Sequence, residues 1–91
     1  MIGHYTATSG KEIPIAGFWT GLTIQVDGAE SVTIEGKTKL GSQYESIGAI
    51  KLSDYSVCET LSGDGLYIVD PTGLDYLKFT FSAGNVYYNV V

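Results

Sequence analysis

Gly65 to Phe81, GLYIVDPTGLDYLKFTF, decides the fold class. Leu66-Tyr67-Ile68-Val69 is short and apolar. Asp70-Pro71-Thr72-Gly73 is turn chemistry, because Pro71 presets φ and Gly73 permits a positive φ. Asp75 to Phe81 then alternates. Leu77, Phe79 and Phe81 fall on one face, and Tyr76, Lys78 and Thr80 on the other. Strand, tight turn and strand is the reading, with one side of the second strand buried and the other wet.

The same grammar extends in both directions. Leu22, Ile24 and Val26 face one way, and Thr23 and Gln25 the other. Asp27-Gly28-Ala29-Glu30 carries a hairpin signal, after which Ser31 to Thr38 resumes with Val32 and Ile34 inward. Lys39 to Glu45 is a turn region. Ile47 to Ser53 offers Ile50 and Leu52 on one face, and Tyr55 to Leu61 gives a further strand. Ser82-Ala83-Gly84-Asn85 turns the chain into a last strand, Val86 to Val91. Pro14 cannot donate to a ladder, which puts the Glu12–Ile15 piece on an edge. Residues 1–11 read as an extended arm or a weak first strand. Seven or eight short strands at this spacing predict an all-β antiparallel sandwich, jelly-roll or Ig-like, over a single domain of residues 1–91.

Composition narrows the function classes. A 44% apolar share with only 16% charged residues excludes disorder. The net charge is −5, with five lysines and no arginine, so neither nucleic acid nor an anionic membrane is an expected partner. Cys58 stands alone, so neither an internal disulfide nor a Cys-based zinc site is expected. The opening MIGHYTATSG has no basic segment followed by an apolar one, so no secretory leader is expected, and synthesis in a reducing cytoplasm fits.

Phe18 and Trp19 are the candidate binding residues. Register carried back from Leu22 puts Trp19 on the face of Thr23 and Gln25, where an exposed indole would anchor a partner or stack on a sugar. A bulge at Gly17 or Gly21 would instead turn Trp19 into the core. Tyr44, Tyr55, Tyr76, Tyr87 and Tyr88 form either a stacking platform or half-buried sheet faces. Asp64, Asp70 and Asp75 flank the central turn, but calcium wants six to eight oxygens and no matching loop pattern is present. His4 lies in the polar opening, where a general base would lack positioning. Cys58, between Val57 and Glu59, reads as a small buried hydrophobe. With no nucleophile elbow, metalloprotease helix or phosphate loop, no enzyme, cofactor or metal is expected, and a small hydrolase has the least support.

The run Gly65–Val91, GLYIVDPTGLDYLKFTFSAGNVYYNVV, resembles the C-terminal half of small β-sandwich modules of tailed-phage virion and prophage proteins. The likeness lies in Gly65-Leu66-Tyr67, Gly73-Leu74, Tyr76-Leu77-Lys78-Phe79 and the closing strand Val86 to Val91. YTATSG near the start and the strands Leu22–Asp27 and Val32–Lys37 extend it. The basic position, often Arg in such modules, is Lys78 here. The resemblance implies a non-enzymatic capsid decoration, head-fibre or tail protein located in the virion, and it implies no catalytic residues. A capsid or other virion protein is then the expected partner. A homo-oligomer is expected as well, and a trimer would match lattice symmetry. The alternative is a carbohydrate-binding module that uses Trp19 and surface tyrosines on a glycan.

Overall fold

A computed structural model describes residues 3–15 and 18–91. In it the described residues form two antiparallel sheets packed face to face, and no helix. The strands are β1 (Gly3–Thr6), β2 (Glu12–Pro14), β3 (Leu22–Asp27), β4 (Glu30–Lys37), β5 (Glu45–Ser46), β6 (Ala49–Lys51), β7 (Val57–Cys58), β8 (Thr60–Leu61), β9 (Gly65–Val69), β10 (Tyr76–Ser82) and β11 (Asn85–Val90). One sheet runs β1-β11-β3-β9-β6-β7; the other runs β2-β10-β4-β5, with β8 also pairing β4. Only β4–β5 and β6–β7 join neighbours within a sheet; every other connection crosses between sheets. Of the two expected sandwich forms, this alternation of β1-β11-β3-β9 against β2-β10-β4-β5 is the jelly-roll arrangement.

Period-two burial follows from the alternating side chains. Leu22, Ile24 and Val26 of β3 and Val86, Tyr88 and Val90 of β11 point into the sandwich and meet Val32, Ile34, Leu77 and Phe79 of the opposite sheet. Their removal from water is the main stabilising term in a chain this small. Pro14 sits in β2, an edge strand, as its missing N–H requires.

The two hairpin readings need correction. β3 and β4 lie in different sheets, as do β9 and β10, so Asp27–Glu30 and Asp70–Gly73 are corners where the chain changes sheet. Pro71 is fully buried at its corner. The predicted strand Tyr55–Leu61 is split: β7 pairs β6, while β8 pairs β4 in the other sheet. The stretch 47–53 contributes only β6, with Ala49 buried and Ile50 facing outward. Such short pieces raise the expected seven or eight strands to eleven. Of residues 1–11, Gly3–Thr6 takes the strand alternative, pairing β11 from Gly3↔Val90 to Thr6↔Tyr87. Met1 and Ile2 lie outside the described residues.

Phe81 is half-buried where the β10–β4 register shifts between Thr80 and Ser82. A bulged residue leaves its backbone groups without ladder partners. Ser9 supplies both: the Phe81 amide donates to Ser9 Oγ at 2.9 Å, and Ser9 Oγ donates to the Phe81 carbonyl at 2.7 Å. Ser9→Ala should therefore cost about 1–3 kcal/mol, two hydrogen bonds' worth, read as a lower urea midpoint at an unchanged slope.

Candidate functional site

Phe18 and Trp19 are adjacent in sequence and opposite in environment. Trp19 is only 8% exposed, whereas Phe18 is 74% exposed. The amides of both Thr20 and Gly21 donate to the Val91 carbonyl, at 2.7 and 3.2 Å, and the Val91 amide returns to the Gly21 carbonyl. Two residues facing one is the count of a bulge, and it turns Trp19 from the face of Thr23 to the core. Of the two readings of Trp19, the buried one holds and the exposed indole does not. The bulge lies at Gly21; Gly17, the other position considered, lies outside the described residues. Trp19 packs at 6.0 Å from Tyr88, whose ring is 5.2 Å from Phe79.

The other candidates scatter. Asp64 Oδ1 accepts from the Gly28 amide at 2.7 Å, Asp70 Oδ1 from the Thr72 amide at 3.0 Å, and Asp75 Oδ2 from the Lys39 amide at 2.8 Å. Each holds a different corner. Among the described residues no three of His, Cys, Asp and Glu gather as a metal site would require. His4 is not in a loose arm. It lies in β1, and its Nδ1 is hydrogen-bonded to Asn89 Oδ1 at 2.8 Å. Cys58 is half-buried against the core.

Tyr44 and Tyr76 lie on the outer side of the smaller sheet with two lysines. Lys78 Nζ stands 4.3 Å from the Tyr44 ring centre, and Lys37 Nζ lies 5.4 Å from Tyr44 and 5.3 Å from Tyr76. The Tyr44 hydroxyl donates to Glu12 Oε2, tying the β5 end to β2. Burial first, then the hydrogen bond and charge of Glu12, push the Tyr44 phenol well above its ordinary range. A pKa higher folded than unfolded means that the folded form binds more protons above about pH 10. Stability present below that pH should therefore fall as pH rises further. Tyr44→Phe should flatten this alkaline slope, measured as urea midpoints from pH 8 upward.

The outer side of the larger sheet holds a surface that sequence reading missed. Cross-strand register lines up His4, Asn89, Thr23, Ile68, Ile50 and Val57 in one row across all six strands. One half is polar; the other is isoleucine and valine, with exposed Leu66 in the next row opposite Gln25. A groove of about 480 Å³ runs beside them, lined by Ile50, Ile68, Val69, Asp70, Thr20 and Val91 among others. The alternation in LYIV was legible, but which strands would lie beside it was not.

No protein-family model matches the chain, and no curated protein matches it. Two solved structures share its fold. The crystal structure of SPBc2 prophage-derived protein YomS aligns with a TM-score of 0.79 at 16% identity, over 99% of this chain and 92% of that one. The crystal structure of PBSX exported protein XepA aligns with a TM-score of 0.80 at 19% identity; 99% of this chain is covered but only 37% of XepA. At these identities the likeness is one of fold.

Proposed function

We propose that this chain is a non-enzymatic, phage-encoded structural protein. It joins a capsid or tail as a homo-oligomer, through the apolar half of the larger sheet's outer side. The observation that carries the reading is the row Ile68–Ile50–Val57 with Leu66, apolar side chains left in water on paired strands. Clustered exposed apolar surface of this kind favours a protein partner. The fold adds a weaker argument. Jelly rolls recur in viral capsid domains, and one of the two structural neighbours, YomS, is named as prophage-derived. Fold does not itself give function, so the surface bears the weight.

Light scattering after gel filtration should give a mass above that of the 9.7 kDa chain. Ile68→Glu should return the protein to a monomer that keeps its folded circular dichroism spectrum, with any loss of stability matching the loss of association. A clean monomer at high concentration counts against assembly. Location has its own test. Tagged protein should co-sediment with particles in a density gradient after prophage induction; recovery only in the particle-free fraction would remove the virion role.

A further inference from the structure

A sheet ends in a row of unpaired N–H and C=O groups, and natural chains blunt such edges with very short strands, prolines or charged side chains. Most edges of this sandwich are blunted so. β5, β7 and β8 have two residues each, and β2 carries Glu12 and Pro14. β1 is the exception: its four residues, Gly3-His4-Tyr5-Thr6, include no proline, lysine or acid. The Ala7 amide donates to the Val86 carbonyl at 2.8 Å, in the register of Gly3↔Val90 and Tyr5↔Tyr88. Backbone groups alternate in direction along a strand, so Gly3, Tyr5 and Ala7 turn theirs to β11, and His4 and Thr6 turn theirs outward. Among the described residues no strand meets that outer side.

Tyr5 stacks on Tyr88 across the ladder, with ring centres 5.2 Å apart and planes 25° from parallel. The open face of Tyr5 is therefore the one turned away from Tyr88, past the edge of the sheet, and Tyr5 is 44% exposed. Its ring leans back over Gly3, where a Cβ would touch it at 2.5 Å.

We propose that β1 pairs with β1 of a second copy, antiparallel, across a two-fold axis at Tyr5. In that register His4 faces Thr6 of the second copy and Thr6 faces its His4, so every outward N–H and C=O of the two residues is bonded. Of the two-fold registers, this one alone matches His4 and Thr6 with each other. Tyr5 then stands opposite its counterpart in the closer, non-hydrogen-bonded kind of pair, and the stack runs on across the axis into the second copy. Gly3 faces Ala7 of the second copy, so small residues flank the two rings. Charge also favours a second copy here. The net −5 sets copies against each other, yet none of the first ten residues is an acid or a lysine. The contact is small, so the edges join at high concentration or where another surface already holds copies side by side. It lies at the opposite end of the sheet from β7 and does not rest on what the Ile68 row binds.

The test uses isotope-labelled Ile68→Glu protein, so that the apolar row cannot drive the association. Raising its concentration should move the His4 and Thr6 amide resonances downfield, several-fold further than those of Tyr5 and Ala7, which already face β11. Thr6→Pro removes one outward N–H and no bond to β11. It should keep the folded spectrum and abolish the concentration-dependent shift at His4. A second arm decides the matter if Thr6→Pro perturbs the fold. In a Cys58→Ala, Ile68→Glu background, His4→Cys and Thr6→Cys variants are mixed at high concentration and oxidised. The crossed disulfide should exceed its statistical share several-fold, because those two positions lie directly across the ladder from each other. A concentration series without alternating shifts, or disulfides in statistical proportion, would overturn the pairing.

Discussion

Gly84→Ala is expected to leave little folded protein. Gly84 has φ of +64°, and a Cβ placed there would lie 2.1 Å from the Gly28 carbonyl carbon, 2.2 Å from the Ala29 amide nitrogen and 2.4 Å from the Gly28 oxygen. These are backbone atoms, so no rotamer can relieve the clash. They belong to the corner between β3 and β4, while Gly84 belongs to the corner between β10 and β11. The two corners touch along the backbone, as the Gly28↔Asn85 bridge also records, and Asp64 anchors the Gly28 amide from a third. Separating them would displace four strands of the core. A 91-residue domain has roughly 5–14 kcal/mol of stability in total. Gly73→Ala is the control. Its φ is +86° but nothing lies within 4 Å, so only the left-handed backbone cost of about 1–2 kcal/mol applies. Urea unfolding of the pair should show a modest midpoint shift for Gly73→Ala and no cooperative transition for Gly84→Ala. Similar behaviour of the two would mean that the corners yield easily.

The same corners explain what the sequence could and could not disclose. Alternation reports which face of a sheet a residue occupies, so the inward sets of β3, β4 and β10 were legible. It does not report which sheet. Asp27-Gly28 and Pro71-Thr72-Gly73 announce a change of direction, and a chain that folds back beside itself looks locally like one that crosses to the facing sheet. In the Tyr55–Leu61 stretch the crossing occurs inside one unbroken strand-like segment, with Val57–Cys58 in one sheet and Thr60–Leu61 in the other. No turn residue marks it. The Ile68–Ile50–Val57 row was invisible for a related reason, since it is assembled from strands that are not adjacent in the chain except β6 and β7.

The second large effect concerns the two residues that the sequence offered as a binding pair. Trp19→Ala should destabilise the domain by about 3–5 kcal/mol, the range for deleting a large buried ring. Phe18→Ala should stay within about 0.5 kcal/mol. The asymmetry rests on the bulge. With Thr20 and Gly21 both donating to Val91, Trp19 enters the ring cluster of Tyr88 and Phe79, while its neighbour stays in water. A straight strand would exchange the two outcomes. Trp19→Ala would then barely move the urea midpoint, and near-ultraviolet circular dichroism would keep the tyrosine signals of the packed core. If the bulge holds, those signals should weaken along with stability, because Tyr88 loses a wall of its pocket. The consequence for function is direct. Any loss of ligand binding in Trp19→Ala has to be separated from loss of fold, whereas a loss in Phe18→Ala, at unchanged stability, would identify a contact. Phe18 is therefore the one of the pair whose substitution can report on recognition.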